Sequence, residues 1–145
     1  FISGGAALPK DLAEFFFAAG ITILEGYGLT ESSPVLSVTR AAAPAVGTVG
    51  KPLFNVQIKI AEDGEILAKG PNVMRGYLHD EEATKAVIDD DGWLHTGDIG
   101  LINQAGNLVI TDRKKNIFVS SGGKNIAPQP IENTLTQSRF IDQIV

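Results

Sequence analysis

The segment at residues 26–33, Gly-Tyr-Gly-Leu-Thr-Glu-Ser-Ser, most constrains the fold of this chain. It follows a short apolar run at residues 21–24, which predicts a buried strand. The chain therefore leaves a strand through glycines and at once presents an aromatic ring, a hydroxyl and a carboxylate. These groups suit a bound nucleotide, because a ring can stack on a base, a hydroxyl can bond a phosphate and a carboxylate can bind Mg²⁺.

Composition limits the class of protein. The 145 residues are the size of one ordinary domain, and 43% hydrophobic with 20% charged residues is typical of a globular fold. The net charge of -5 argues against a nucleic-acid partner, which would need a basic face. The absence of cysteine excludes a disulfide framework and favours a reducing, cytoplasmic location. An apolar start at Phe1 and a strand-like end at residues 140–145 predict an excised piece of a larger protein.

The first part of the chain alternates strand and helix. Residues 1–3 predict a strand end, and a helix with Pro9 in its first turn ends at Gly20. A strand at residues 21–25 completes a β-α-β unit, typical of a parallel sheet with ligands at the carboxyl ends of its strands. The aromatic run at residues 15–17 is predicted to pack in the core.

From Gly47 the pattern changes to short strands separated by turns. The predicted elements are strands at residues 56–60, 65–68, 99–102 and 108–110, and a helix at residues 80–88. Asp63-Gly64 is a hairpin turn signal, and Asp80 is the expected N-cap of the helix. These elements predict a small antiparallel β unit, a distorted barrel with one helix.

A polar segment at residues 112–116 separates this unit from a strand at residues 117–120 and a helix that begins at Pro130. We therefore predict three regions: residues 1–40 as the end of a nucleotide-binding sheet, 41–111 as an antiparallel β subdomain, and 112–145 as the start of a small α+β domain. The expected fold class is mixed α/β and α+β.

Six segments, in the right order, resemble motifs of the adenylate-forming enzymes, specifically the long-chain fatty acid–CoA ligases. They are residues 3–6, 26–31, 64–77, 92–98, 112–115 and 121–128. The resemblance covers nearly all of the chain. It implies that a fatty acid reacts with ATP and Mg²⁺ to give an acyl-adenylate and pyrophosphate, and that coenzyme A then takes the acyl group.

The resemblance also implies roles for the first glycine-rich segments. Gly4, Gly5 and Ala6 resemble the loop that lies along the adenine. Gly26 and Gly28 flank Tyr27, which resembles the ring stacked on the adenine face. Thr30 resembles the donor to the α-phosphate and Glu31 the Mg²⁺ ligand, and these two are the expected catalytic residues. Without the resemblance, the first segment is a plain turn and Thr30-Glu31 a helix start.

Further roles fall in the second half of the chain. Asp98 resembles the aspartate that accepts hydrogen bonds from both ribose hydroxyls, and Arg113 the arginine that also contacts the ribose. Asp112 resembles the hinge between two domains. The last segment, Gly122, Gly123 and Lys124, resembles the loop that lines the pantetheine tunnel in the thioester step. Trp93 is expected to pack, and His95 is expected to be a strand-end polar group rather than a catalytic base.

Two departures from the family pattern stand at Asn116, where many relatives have aspartate, and at Val119, where some have lysine. The loop that grips the outer phosphates is expected before residue 1, and the adenylation lysine after residue 145. We therefore expect the chain to be inactive by itself.

Other interpretations stay open at this point. The first half-reaction is shared with acyl–acyl carrier protein ligases and carrier-loading adenylation domains. A non-catalytic nucleotide-binding module is a second alternative. Peripheral association with membranes is expected from the substrate, and oligomers of the chain are expected to be artefacts of exposed sheet edges.

Overall fold

The structure is a computed structural model that describes residues 1–6, 8–119, 125–126, 128–135, 138 and 140–141. Within these ranges the strands form two four-stranded sheets and a two-stranded one, and three α-helices lie between or beside them. This mixture confirms the predicted fold class. None of the described helices is long and apolar enough to cross a bilayer.

The first sheet begins with the predicted β-α-β unit. Strand β1 (Ile2–Ser3) pairs in parallel with β2 (Leu24–Tyr27), and helix α1 (Lys10–Ala18) connects them. Strands β3 (Ser37–Val38) and β4 (Lys51–Pro52), which were not predicted, extend the sheet in antiparallel fashion. Because β1 and β2 are parallel, the loops that follow them leave from the same edge of the sheet.

Strand β2 begins later than predicted. The amides of Ala19, Gly20 and Ile21 donate to carbonyl groups of α1, so they are not available to the sheet ladder. The strand instead extends through Gly26 and Tyr27, which pair with β3. These two residues were expected in the loop, which starts only at residue 28.

Helix α1 packs differently from the prediction. The aromatic run at residues 15–17 was expected in the core, yet Phe15 is 66% exposed and Phe17 is 52% exposed. The buried residue of the helix is Ala13. Successive helical side chains point about 100° apart, so three adjacent aromatic residues cannot all face one sheet.

The second sheet contains the predicted antiparallel β unit. Its strands follow one another in the order β5 (Gln57–Ile60), β6 (Glu65–Lys69), β7 (Leu94–Ile102) and β8 (Leu108–Arg113). Helix α2 (Glu81–Val87) lies in the connection between β6 and β7. Both predicted hairpins are confirmed, and β7 and β8 are longer than predicted.

Strand β7 bulges where it passes β6. His95 pairs with Leu67, but Ile99 pairs with Glu65, so four steps along β7 match two along β6. A regular register continued from His95 would place Asp98 opposite Gly64 in the hairpin turn. The bulge instead places Asp98 at the level of Ile66, in the interior of the sheet. Bulges of this kind commonly re-aim side chains near functional sites.

The two larger sheets share one core, which brings the end of β2 close to β7. Its buried members are Tyr27, Leu36, Ile66, Ala68 and Leu108. Backbone hydrogen bonds reinforce the contact: Leu108 N donates to Gly50 O at 2.7 Å, and Val49 N donates to Leu108 O at 2.9 Å. Apolar burial of this kind is the main favourable term in folding.

The last described elements are short. Strands β9 (Phe118–Val119) and β10 (Asn125–Ile126) pair in antiparallel fashion, and helix α3 (Pro128–Leu135) begins two residues before the predicted Pro130. The region limits at residues 40 and 112 stay predictions.

The N-cap of α2 provides a test of local structure. Asp80 accepts a hydrogen bond from Ala83 N at 2.9 Å, as predicted. We expect Asp80→Ala to lower the free energy of unfolding by about 1 kcal/mol, because that amide loses its partner. Asp80→Asn keeps an equally favoured acceptor and is the matched control. Denaturant unfolding followed by circular dichroism measures both variants, and an equal loss in the two would contradict a capping role.

Candidate active site

The centre of the site is the carboxylate of Asp98. This residue is only 4% exposed. The hydroxyl of Tyr27 donates to its Oδ2 at 2.7 Å, and Arg113 Nε lies 3.2 Å from its Oδ1. Each carboxylate oxygen can accept more than one hydrogen bond, so both retain acceptor capacity. Tyr27, predicted to contact adenine, and Arg113, predicted to contact ribose, therefore both contact Asp98.

Side chains hold the bulge that carries Asp98. Thr96 Oγ1 donates to Ile66 O at 2.8 Å and accepts from Asp98 N at 3.2 Å. Gly97 has a φ of +71°, which glycine adopts without steric cost. The amide of Gly97 donates to the side chain of Glu65 at 2.9 Å. The backbone groups that the bulge removes from the ladder are thus satisfied by side chains.

Tyr27 is placed as a hydrogen-bond donor. Its side chain is largely enclosed in the shared core, with 8% of the residue exposed. Burial raises the pKa of the Tyr27 phenol far above its ordinary value, and the neighbouring charge of Asp98 acts in the same direction. The phenol therefore stays protonated and donates to Asp98 at any physiological pH.

Thr30 and Glu31 lie on a short 3₁₀ turn (Thr30–Ser32) directly after β2. Ser32 is fully buried, and its hydroxyl donates to Leu29 O at 3.0 Å while accepting from Leu29 N at 2.9 Å. The preceding Gly28 is obligatory, because a Cβ there would collide with the carbonyl oxygen of Pro34. Tight local bonding therefore fixes the turn.

The segment at residues 70–77 holds this turn from the other side. Asn72 Nδ2 donates to Ser32 O at 2.9 Å, and Met74 N donates to Glu31 O at 2.8 Å. The hydroxyl of Tyr77 donates to Glu31 Oε1 at 2.9 Å. Sequence reasoning matched this segment to the family but gave Asn72 and Tyr77 no role. Their side chains show a role only when the two segments are seen together.

A cleft of about 550 Å³ joins these elements. It is lined by the predicted site residues Gly28, Thr30, Glu31 and Arg113. Further polar lining comes from Glu65, Tyr77, His95, Thr96 and Gly97, and apolar lining from Leu29, Ala86, Val87 and Leu94. Its volume and mixed lining suit a small polar ligand.

The fit of a divalent cation rests on Glu31. This side chain is half-buried, and its Oε2 has no hydrogen-bond partner among the described residues. No group of three or more acidic or histidine residues that could hold a metal occurs in the described part of the chain. A single carboxylate suits Mg²⁺, which commonly binds through one or two carboxylates plus substrate phosphates and water.

Sequence reasoning gave no role to Glu65, which was expected as part of a returning strand and of the matched segment at residues 64–77. Glu65 is only 4% exposed. Its Oε2 lies 3.0 Å from His95 Nδ1 and 2.8 Å from Lys114 Nζ. Lys114 Nζ also lies 2.7 Å from Asp63 Oδ2. Burial raises the pKa of Glu65, but the hydrogen bonds from Lys114, His95 and Gly97 outweigh burial and lower it overall. The carboxylate therefore stays ionised.

The remaining predicted site residues do not bond to Asp98. Gly4, Gly5 and Ala6 are exposed, and Gly4 approaches the strand at Gly26, where a Cβ on Gly4 would lie 3.4 Å from the carbonyl oxygen. Asp112 is buried within β8 opposite Ile99, next to Arg113. The predicted thioester-step residues, Gly122, Gly123 and Lys124, lie outside the described residues.

The two tyrosines of the chain test this geometry by alkaline titration of tyrosinate absorbance. Both phenols have raised pKa values, Tyr27 through burial and Tyr77 through its hydrogen bond to Glu31. In Tyr77→Phe, Tyr27 is the one tyrosine that remains to titrate. We expect it to form no phenolate at about pH 10, where an unfolded tyrosine titrates. Stability from the Tyr27 interaction is fully present below that pH and is lost as the pH rises beyond it. Ionisation near pH 10 with an unchanged circular dichroism spectrum would contradict the buried contact.

Comparison with known proteins relates this chain to acid–CoA ligases. The model of the AMP-binding enzyme family matches residues 1–78. The long-chain-fatty-acid–CoA ligase FadD15 of Mycobacterium bovis is 44% identical over 144 residues, which cover 99% of this chain and 24% of that protein. A 3-[(3aS,4S,7aS)-7a-methyl-1,5-dioxo-octahydro-1H-inden-4-yl]propanoyl:CoA ligase of Mycobacterium tuberculosis is 50% identical over 141 residues, which cover 94% and 28%. The chain thus spans about a quarter of the length of these relatives.

Solved structures extend the likeness to the fold. The o-succinylbenzoate CoA synthetase MenE from Bacillus subtilis, in complex with the acyl-adenylate intermediate OSB-AMP, has a TM-score of 0.88 and 33% identity, covering 98% of this chain and 31% of that one. The same enzyme in complex with ATP and magnesium ion has a TM-score of 0.81 and 35% identity, covering 92% and 30%. Because the family model covers more than half of the sequence, this chain belongs to the AMP-binding enzyme family.

Proposed function

We propose that this chain forms part of an ATP-dependent, AMP-forming fatty acid–CoA ligase. In the first step a carboxylate oxygen of the acid attacks the α-phosphorus of ATP, and pyrophosphate leaves with the electrons of the broken bond. In the second step the coenzyme A thiol loses its proton, its sulfur attacks the acyl carbon, and AMP leaves. The observation that carries the proposal is the buried Asp98–Tyr27–Arg113 contact beside a cleft that also contains Thr30 and Glu31.

The nucleoside end of ATP is assigned to the three contacting residues. Asp98 accepts hydrogen bonds from the two ribose hydroxyls with its remaining lone pairs, because a carboxylate has two oxygens at the spacing of a diol. Arg113 is 58% exposed at its side chain and can reach ribose or phosphate from the cleft. Tyr27 orients Asp98, and its ring is assigned to the adenine, which Gly4, Gly5 and Ala6 flank.

The phosphate end is assigned to the 3₁₀ turn. The hydroxyl of the exposed Thr30 would donate to the α-phosphate, and Glu31, which has one oxygen without a partner among the described residues, would hold Mg²⁺. When bound, Mg²⁺ supplies the positive charge that offsets charge on the phosphates. The turn is rigid, so it can orient the reacting phosphate without rearrangement.

The thioester step and its motion remain assigned from the family resemblance. Coenzyme A is the proposed acyl acceptor, with Gly122, Gly123 and Lys124 lining its path and Asp112 as the hinge. The groups expected to hold the outer phosphates and to drive adenylation are not among the residues assigned here. We therefore propose that the chain alone is inactive, and that the ligase works in the cytoplasm, peripherally at membranes where fatty acids partition.

The acid is proposed to be a long-chain fatty acid, supported by the name of the FadD15 relative. The 50% identical relative named for a ring-bearing propanoate favours a second candidate, a bulky cyclic acid. ATP–pyrophosphate exchange by the ligase that contains this chain, measured with acids of rising chain length and with a bicyclic propanoate, separates the two. We expect exchange to be fastest with acids beyond about ten carbons, because each added methylene contributes roughly 0.8 kcal/mol of burial. Exchange with the cyclic acid alone would overturn the long-chain assignment.

Asp98 gives the direct test of nucleotide binding. We expect Asp98→Asn to raise KM for ATP by about 10- to 100-fold, because the variant loses a charge-assisted hydrogen-bond acceptor for the ribose. We expect KM for the acid to be unchanged. Asp90→Asn, at an exposed position in the turn before β7, makes the same chemical change outside the site and is the control. Steady-state kinetics at saturating acid measure both. An unchanged KM for ATP in a stably folded Asp98→Asn enzyme would remove Asp98 from the site.

A further inference from the structure

The carboxylate of Glu65 lies on the cleft wall but has no place in the roles assigned above. It is nearly inaccessible, and both its oxygens are occupied. Oε1 accepts from Gly97 N at 2.9 Å, and Oε2 lies 3.0 Å from His95 Nδ1 and 2.8 Å from Lys114 Nζ. Three of its roughly four acceptor positions are therefore taken within the chain, which leaves this carboxylate less capacity than Asp98 to bind a ligand itself. Its contacts all lead to the chain segments that carry Asp98 and Arg113.

The first contact supports the β7 bulge. In the bulge the amide of Gly97 has left the ladder, and the Glu65 carboxylate takes the place of a backbone acceptor. Gly97 immediately precedes Asp98. If that hydrogen bond is lost, the half-buried amide loses its acceptor, and the register that places Asp98 at the level of Ile66 loses a restraint.

The second contact supports the end of β8. Lys114 immediately follows Arg113, and its ammonium group bridges Glu65 Oε2 and Asp63 Oδ2. The neighbouring guanidinium of Arg113 lies against Asp98. One buried carboxylate is thus tied by hydrogen bonds to the residue before Asp98 and to the residue after Arg113.

We infer that Glu65 is a positioning residue for ribose recognition, which sets the geometry of Asp98 and Arg113 through Gly97 and Lys114. The inference rests on the proposed function. It assigns to Glu65 a selective effect on the ribose end of the nucleotide. The acid and the acyl acceptor are not affected by it.

The test compares ATP with 2′-deoxy-ATP in the pyrophosphate-exchange reaction. In the wild-type ligase we expect KM for 2′-deoxy-ATP to be about 10-fold higher than KM for ATP, because the nucleotide without the 2′-hydroxyl loses one hydrogen bond to a charged acceptor. Glu65→Gln keeps the shape of the side chain but places a neutral amide beside the Lys114 ammonium group. We expect it to raise KM for ATP by about 10-fold and to bring the KM ratio of the two nucleotides close to one, with KM for the acid unchanged.

Lys114→Met is the second variant, in case Glu65→Gln does not fold. Lys114 is 48% exposed at its side chain, so its replacement removes little buried surface, and Gly97 N and His95 Nδ1 remain beside the Glu65 carboxylate. We expect a smaller rise in KM for ATP, about 3-fold, with a reduced nucleotide ratio. Asp63→Asn removes the exposed partner of Lys114 without touching Glu65, and is the control that should keep the wild-type ratio.

The outcomes separate the two proposals. A purely structural role for Glu65 would lower thermal stability and leave the ratio between ATP and 2′-deoxy-ATP at its wild-type value, which would overturn the inference. The inference would also be overturned if Lys114→Met and Asp63→Asn had the same ratio of KM for 2′-deoxy-ATP to KM for ATP. A wild-type ligase that shows no acid-dependent exchange would overturn the proposed function, and this inference with it.

Discussion

A buried carboxylate stays charged only where hydrogen-bond donors or cations compensate for its lost hydration. Asp98 meets this requirement through the phenol of Tyr27 and the guanidinium of Arg113, which come from different strands. The pairing therefore depends on the register of β7 against β8 and on the core that joins the two larger sheets. A change that displaces either one leaves a buried charge without a partner, and that is strongly destabilising. The electrostatics of one residue thus constrain the packing of two sheets.

The bulge in β7 shows how the chain meets this constraint. Without it, Asp98 would lie opposite the hairpin turn, beyond the end of β6 and away from Tyr27. The extra residues move it two positions along β6, to the level of Ile66, which packs in the same core as Tyr27. The backbone groups released by the bulge are satisfied by Thr96 and Glu65. The irregularity is therefore stabilised by side chains at each point where the ladder is broken.

Local signals predicted the parts of the fold that depend on neighbours in sequence. The β-α-β unit, both hairpins and the Asp80 cap all follow from turn residues and periodicity within short windows. The aromatic residues of α1 were predicted wrongly because periodicity does not say how wide a face the sheet covers. Strands β3 and β4 were missed because two-residue strands leave too little pattern to detect.

The candidate site was predicted in composition but not in connectivity. The family resemblance named Tyr27, Asp98 and Arg113 separately, and nothing in the sequence indicates that they bond to one another. Glu65 lies in the matched segment at residues 64–77 but received no role, because an acidic residue at the start of a strand after Asp-Gly is ordinary hairpin chemistry. Its charge is compensated by Lys114, which follows it by 49 positions in the chain. Such long-range charge pairing needs coordinates to be seen.

Three carboxylates near the cleft differ in how many partners they have, and this difference separates their proposed roles. Glu31 is half-buried and bonded to one neutral phenol, so an oxygen is left for a cation. Asp98 is buried and has one cationic and one neutral partner, which fix its orientation yet leave lone pairs for hydroxyl donors. Glu65 is equally buried, but its oxygens are taken by an amide, an imidazole and an ammonium group. Since a carboxylate has about four acceptor positions, each further internal partner reduces what it can offer to a ligand. By this measure Glu31 is proposed to bind a cation, Asp98 to bind the ribose while held by its partners, and Glu65 to hold the segments that carry Asp98 and Arg113.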